Sequence, residues 1–169
     1  MVCCVTGHRP EGFPFSREET NVEYVAYKKR LITEITELIQ QGYSSFIFGV
    51  ADGADTDFAN TVIFLRDKVG YDISLEAALP CPIRVAKSPT GKTLDRINLL
   101  NLCDKVHTVS PNYHRGCMQK RNEYMINKAD LVLAIWNENQ KGGTWNSIKY
   151  ALKTKTPIKY IMLNNLLPN

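Results

Sequence analysis

The feature that most constrains the fold is a regular alternation of short apolar runs with segments of helical period. Six runs have the composition of buried strands, at residues 2–6, 44–50, 72–79, 105–109, 130–136 and 157–163. Helices are expected at residues 22–41, from about Asp52, and at 92–104, 115–129 and 142–154. Strands that alternate with helices join through βαβ crossovers into parallel sheets. The pattern therefore predicts an α/β fold, a three-layer αβα sandwich with a mainly parallel sheet of about six strands, in a single domain over residues 1–169.

Composition limits the partners and the compartment. The net charge of +4 favours anionic ligands, but the chain lacks the concentrated Lys/Arg runs of a committed nucleic-acid binder. No apolar run approaches ~18 residues, so no membrane span is expected. Five cysteines without a CxxC pair and three histidines without ligand spacing predict free thiols and no metal site. We therefore expect a cytoplasmic protein.

The loop after the first strand is the first candidate for ligand binding, because ligands of parallel α/β sheets bind beyond the carboxyl ends of the strands. It reads TGHRP, residues 6–10. Gly7 allows a sharp turn or a close approach to a ligand, and Arg9 offers a planar fork for phosphate or carboxylate. His8 would lie at the same crevice. A turn with a surface arginine explains this pentapeptide equally well.

The second candidate is GVADGAD, residues 49–55, between the second strand and its helix. Asp52 as the N-cap and Asp55 in the first turn would also suit an ordinary helix start. Two carboxylates would repel a phosphate, so we expect Asp52, Gly53 and Asp55 to contact ribose hydroxyls or base N–H groups of a nucleotide instead. The spacing is not GxGxxG, and an ordinary dinucleotide fingerprint is not supported.

The third candidate is KGGTWNS, residues 141–147, which is the better phosphate site. Gly142 and Gly143 can turn their N–H groups toward an anion, and Thr144 can add a hydroxyl. Lys141 adds positive charge, and no acidic residue follows in the first helical turn. A simple loop with a threonine cap is the alternative.

Another segment only imitates a phosphate loop. SPTGKT, residues 88–93, lies at the end of a polar stretch over residues 83–93 and finishes like a Walker A motif. It lacks the first glycine of that motif, and no clean strand precedes it. We therefore exclude a P-loop.

The predicted helix over residues 115–129 carries an arginine on an apolar stripe. Met118, Arg121 and Met125 fall at i, i+3 and i+7, on one helical face. Arginine is rarely buried without a partner. Arg121 is therefore expected to meet an anion at the crevice, unless its head group extends past the apolar stem to solvent.

These segments together resemble a known superfamily. The run RNEYMINKADLVLAIWNENQKGGT resembles the one shared by LOG-type nucleotide phosphoribohydrolases, which have an Arg-x-x-x-Met helix, an Ala-Asp strand entry and a Gly-Gly-x-Gly-Thr phosphate loop. TGHRP and GVADGAD are closer to the YpsA-like branch of the same SLOG superfamily, which also includes the DNA-processing protein DprA. The resemblance spans most of the chain and implies a Rossmann-like fold with a nucleotide or nucleotide-derived ligand. It places Arg121 at the LOG-type arginine, and Gly142, Gly143 and Thr144 at the phosphate loop.

The chain departs from the hydrolases at the position that matters for chemistry. Their catalytic glutamate stands three residues after the threonine, where this chain has Ser147. The loop is also one glycine short, and no proline precedes it. Losing a positioned acid or base costs ~10²–10⁴ in rate, and serine cannot balance the charge of an oxocarbenium-like transition state. If the chain is an enzyme, the catalytic candidates are Arg121, Asp52, Asp55 and Glu138.

Three functions remain open, with the protein leaning away from catalysis. The first is binding of a nucleotide or nucleotide-derived ligand, similar to ADP-ribose or NAD, by a sensor or regulatory protein. The second is a nucleotide N-glycoside hydrolase or phosphoribohydrolase with a non-standard acid. The third is DprA-like single-stranded DNA binding, against which the modest charge argues. We expect a small-molecule nucleotide partner and no other cofactor, and the dimers of LOG-type relatives suggest a homodimer.

Overall fold

In the computed structural model, which describes residues 1–83 and 91–167, the framework is a six-stranded, all-parallel sheet. The strands are β1 Val2–Gly7, β2 Ser45–Phe48, β3 Ser74–Leu79, β4 Lys105–Thr108, β5 Leu131–Trp136 and β6 Ile158–Met162. Their order across the sheet is β4-β3-β2-β1-β5-β6, and every neighbouring pair is parallel. The predicted α/β, Rossmann-like three-layer fold is confirmed.

In the described part of the chain five helices connect the strands, in the predicted places. They are α1 Val22–Gln40, α2 Ala54–Phe64, α3 Gly91–Asn101, α4 Cys117–Lys128 and α5 Gly142–Thr154. Two short elements were not predicted, a 3₁₀ turn at Pro10–Gly12 and a π-helical turn at Leu65–Val69 that prolongs α2. Residues 84–90 of the polar stretch, and with them the beginning of SPTGKT, lie outside the described residues.

The start of α2 differs from the prediction in a way that affects the site. The helix was expected from about Asp52, with Asp52 as its cap in the alternative to ligand binding, but Gly53 occupies the cap position and the first helical residue is Ala54. The backbone N–H of Ala54 donates to the carbonyl of His8 at 3.0 Å, so the helix begins where the loop after β1 crosses it. The Asp52 carboxylate instead pairs with Arg96, at 3.1 Å. The alternative in which Asp52 caps the helix is therefore wrong.

The two faces of the sheet are covered by different helices. Side chains of α1, α2 and α3 share one apolar cluster, and side chains of α4 and α5 belong to another. Cys3 and Cys4, adjacent on β1, fall into these two clusters, as the alternation of side chains along a strand requires. Strands with both faces buried read as nearly continuous apolar runs, which is why the runs in the sequence located them.

The strand order creates a crevice between β1 and β5. The chain leaves β1 through α1 toward β2, and it leaves β5 through α5 toward β6, on opposite sides and in opposite directions. At such a switch point the loops beyond the carboxyl ends of the two strands diverge and leave room for a ligand. The loop after β1 and the glycine pair after β5 therefore face each other across this crevice.

Candidate functional site

A cleft of about 300 Å³ opens at this switch point, and we call it the β1/β5 cleft. Its walls come from the ends of β1 and β5, the α2 entry, one face of α4 and the start of α5. Most of the predicted ligand-binding residues line it, namely Gly7, His8, Arg9, Asp55, Arg121, Gly142, Gly143 and Thr144. The structure thus brings all three predicted loops and the α4 arginine to one place.

The first turn of α5 forms the wall best suited to an anion. No side chain of the described residues caps this helix, so the N–H groups at Gly142, Gly143 and Thr144 are not satisfied by a cap. Thr144 is the third helical residue rather than a cap, so the simple threonine-cap interpretation is wrong. Lys141 also lines the cleft and adds positive charge at this end of the helix dipole.

Arg121 lies on the opposite wall and is buried. Only 7% of the residue is exposed, so the alternative in which it extends to solvent is wrong. Its Nε donates to Asn122 Oδ1 at 2.8 Å, and its buried Nη1 has no hydrogen-bond partner among the described residues. The guanidinium lies directly against the backbone of Gly49, where an added Cβ would be 1.9 Å from Nη1. Only glycine leaves the space that Arg121 occupies.

Asp55 is the carboxylate next to this guanidinium. Its Oδ2 accepts hydrogen bonds from the backbone N–H groups of Gly49 at 3.0 Å and Ala51 at 3.2 Å. Burial raises the pKa of Asp55, against the charge of Arg121 and these two hydrogen bonds. Burial likewise lowers the pKa of Arg121, against the charge of Asp55. Within residues 1–83 and 91–167 Arg121 forms no ion pair within 4.0 Å, and its Nη1 remains available to an anion beside the charge of Asp55.

The loop after β1 is held rigidly at the mouth of the cleft. Burial lowers the pKa of His8, which favours the neutral imidazole, and its Nε2 has no partner among the described residues. Asn137 Nδ2 donates to the carbonyl of Gly12 at 2.7 Å and ties this loop to the end of β5. A Cβ at Gly7 would lie 2.4 Å from that of Ala54. Gly7 therefore serves helix–sheet packing, whatever it does for a ligand.

Three predicted site residues lie outside the β1/β5 cleft. Asp52 and Gly53 line a separate cavity of about 520 Å³ between α2 and α3. Glu138 is exposed beyond β5, where its carboxylate accepts a hydrogen bond from Asn164 at 3.0 Å. A contact of these three residues with the ligand stays a prediction.

The sequence did not point to Asn122, which lines the cleft. Its Nδ2 donates to Ser147 Oγ at 2.9 Å, and that hydroxyl donates to the carbonyl of Gly143 at 3.1 Å. Ser147, at the position of the hydrolase glutamate, is 1% exposed and does not line the cleft. Its hydroxyl accepts one hydrogen bond that joins α4 to α5 and donates one within α5. The only signal for Asn122 was its place directly after Arg121.

The described residues contain neither a membrane span nor a metal site. No helix there combines the length and apolar character needed to cross a bilayer. Nor does any group of three or more His, Cys, Asp or Glu side chains in residues 1–83 and 91–167 have the arrangement of a metal site. All five cysteines are free.

Comparison with known proteins fits this architecture. A sequence profile described as the YspA SLOG family matches residues 3–166, nearly the whole chain. The chain belongs to the YspA SLOG family. The superfamily inferred from the motifs is thereby confirmed, and membership suggests a nucleotide-related function without specifying a ligand.

Two relatives extend this assignment to bacterial proteins. The chain is 28% identical over 147 residues to an uncharacterized SPbeta prophage-derived protein, YoqJ, of Bacillus subtilis, covering 79% of this chain and 85% of the relative. It is 24% identical over 162 residues to the UPF0398 protein BH1768 of Halalkalibacterium halodurans, covering 94% of this chain and 84% of the relative. The similarity therefore covers most of the chain in both cases.

Proposed function

We propose that this protein binds a nucleotide or nucleotide-derived ligand, similar to ADP-ribose or NAD, and acts as a sensor or regulatory protein. The observation that carries the proposal is that a buried Arg121, which has no ion pair among the described residues, faces the uncapped first turn of α5 across one cleft. A buried guanidinium without an ion pair is costly unless an anion completes its environment. Phosphate fits both walls.

Each part of the cleft has a role in this proposal. The N–H groups at the start of α5 and the Arg121 guanidinium hold phosphate, and Arg9 reaches the same anion from the mouth. Asp55 lies beside Arg121 rather than at the α5 turn, so it is placed to accept a hydrogen bond from a ribose hydroxyl or a base N–H. Five free cysteines support a reducing, cytoplasmic location.

The proposal favours retention of the ligand over its cleavage. In LOG-type hydrolases a glutamate acts at the position that Ser147 takes here. The Ser147 hydroxyl is engaged by Asn122 and Gly143 and lies away from the cleft lining. Binding of the ligand without its hydrolysis is the behaviour expected of a sensor.

The direct test is calorimetric titration of the purified protein with AMP, NAD and ADP-ribose, followed by chromatography of the recovered ligand. We expect at least one of them to bind and to be recovered intact. Arg121→Ala should weaken that binding at least tenfold, since a hydrogen bond to a charged group contributes ~1.5–3 kcal/mol. Arg115→Ala removes the same charge from an exposed residue outside the cleft and should leave affinity unchanged. No binding of any of these compounds at millimolar concentration would refute the proposal.

A nucleotide N-glycoside hydrolase is the second candidate, and one observation favours it. Asp55 lines the cleft beside Arg121 and its pKa is raised, which suits a general acid or base. Free base released from AMP, and lost in an Asp55→Asn variant that still binds AMP, would establish hydrolysis. An unchanged nucleotide panel would remove it.

A further inference from the structure

We infer that Asn122 is a positioning residue, which together with Ser147 fixes the Arg121 guanidinium relative to the first turn of α5. This inference rests on the proposed function, since it concerns how the two anion-binding walls of one cleft are held in register. Three hydrogen bonds in series carry it. Arg121 Nε donates to Asn122 Oδ1, Asn122 Nδ2 donates to Ser147 Oγ, and Ser147 Oγ donates to the Gly143 carbonyl, at 2.8, 2.9 and 3.1 Å.

The donors and acceptors in this link can run in one direction only. A guanidinium has donors and no acceptor, so the Asn122 atom facing Arg121 must be the carbonyl oxygen. The amide nitrogen then faces Ser147 and can only donate. Because the Ser147 hydroxyl accepts there, its own hydrogen goes to the carbonyl of Gly143. Because the Arg121 guanidinium can only donate, it determines the direction of each hydrogen bond in the link.

The link joins α4 to α5, the two helices that form the anion-binding walls of the cleft. Arg121 belongs to α4, whereas Gly143 supplies one of the N–H groups at the start of α5. Arg121 and Ser147 are buried and Asn122 is half-buried, so the hydrogen bonds of the link are partly shielded from water, which strengthens them. A phosphate held by both walls requires them at one separation, and misplacement by ~1 Å can cost ~10²-fold where geometry is critical.

The link also gives a function to the serine at the hydrolase glutamate position. Ser147 is short enough to bond both Asn122 and the carbonyl of Gly143, one turn before it. A glutamate there could not reproduce the donated bond to Gly143, because a carboxylate only accepts. Residues 122 and 147 therefore act as a pair that serves ligand holding in place of acid catalysis.

The same two helices provide a matched control. The Tyr150 hydroxyl of α5 donates to Asn127 Oδ1 of α4 at 3.1 Å, on the exposed side of the helix pair. Neither Asn127 nor Tyr150 lines the cleft. Asn127→Ala thus removes one α4–α5 hydrogen bond without touching the link.

The test compares Ser147→Ala, Asn122→Ala and Asn127→Ala with the wild-type protein by NMR of arginine Nε–H groups, in which Arg121→Lys identifies the Arg121 signal. We expect Ser147→Ala to shift this signal and to speed its exchange with water, although no hydrogen bond joins Ser147 to Arg121. Asn122→Ala should change it further, Ser147→Thr should restore it, and Asn127→Ala should leave it unchanged. If Ser147→Ala leaves the Arg121 signal as Asn127→Ala does, the link does not position Arg121 and the inference is wrong.

Titration of the same variants with AMP separates this inference from the proposed function. We expect Asn122→Ala to bind AMP about tenfold more weakly and Asn127→Ala to match the wild type. Wild-type affinity in Asn122→Ala would overturn the positioning role while leaving nucleotide binding intact. Absence of binding by the wild-type protein would refute AMP as a ligand of the cleft, and the NMR comparison of the free proteins would still decide whether the link exists.

Discussion

Gly49→Ala separates the role of the Arg121 guanidinium from the stability of the fold. The added carbon would lie 1.9 Å from Nη1 of Arg121, where ordinary contacts begin near 3.4 Å, so the guanidinium must move by about 1.5 Å. It would also lie 2.9 Å from Asp55 Oδ2, which must give by a few tenths of an ångström. Both atoms are ends of side chains, and the backbone need not move.

Affinity should therefore fall more than stability in this variant. Overpacking costs ~1–3 kcal/mol, and replacing glycine returns ~0.4–1 kcal/mol through the unfolded state, so unfolding should lose about 1–2 kcal/mol. A displacement of 1.5 Å breaks one or more hydrogen bonds from the guanidinium to phosphate, each contributing ~1.5–3 kcal/mol. The corresponding loss of AMP affinity is roughly 10- to 150-fold.

The two quantities are measured by urea unfolding and by calorimetric titration with AMP. Gly91→Ala is the control, because an added carbon there meets nothing within 4 Å among the described residues, so AMP affinity should stay at its wild-type value and stability should rise by at most ~0.4–1 kcal/mol. Wild-type AMP affinity in Gly49→Ala would refute the assignment of Arg121 to the phosphate. A loss of stability above ~4 kcal/mol would show that the space over Gly49 is rigid, contrary to the reasoning.

Three further predictions concern charges in and around the site. Asp55 has a raised pKa in the folded state, so its contribution to stability falls as pH rises from about 4, the ordinary carboxyl value, through its folded pKa. In urea unfolding between pH 4 and 7, the free energy of unfolding of Asp55→Asn should therefore fall less with rising pH than that of the wild-type protein. Arg17→Met leaves the buried Asp57 carboxylate with one side-chain partner among the described residues, the Tyr24 hydroxyl. The free energy of unfolding should fall by ~1–3 kcal/mol, less than for a fully buried pair because Arg17 is partly exposed, and an unchanged urea midpoint would contradict this. Ser147→Glu buries a carboxylate and breaks the link to α4, so the free energy of unfolding should fall by about 3 kcal/mol or more. Chromatography should show no base release from AMP, and rapid base release would mean that restoring the acid is sufficient for hydrolysis.

The sheet was predictable because its strands are buried on both faces. Apolar runs located the six strands, and a helix was expected in each of the five places where the described residues have one; every predicted boundary agrees within three residues, although no end was predicted for α2. The start of α2 was missed by two residues because it depends on the carbonyl of His8, 46 residues before Ala54. Local capping rules applied to Asp52 cannot include a crossing by a distant loop.

The site was predictable where its chemistry follows a strand, and not where it depends on packing between helices. Glycine-rich loops at strand ends identified the α5 turn, and the stripe on α4 identified Arg121. Of the two methionines on this stripe, Met125 is buried and Met118 is 43% exposed. Asn122 bonds a residue 25 positions away, and a single amide side chain has no period or motif that would reveal this.

The position of β1 in the middle of the sheet has a consequence for how the protein is made. β1 is synthesised first, but its neighbour β5 is far away in the chain, and the hydrogen bond from the Val2 backbone to Asp130 spans 128 residues. Until β5 arrives, β1 has one open edge, and such edges are where nascent chains mispair. Pairing of strands so far apart in the chain is slow, because the entropy cost of closing the loop comes before the contact contributes any stabilisation. The cleft therefore forms only after β5 and the start of α5 have been synthesised, and a ligand bound there would stabilise only chains that have reached this stage.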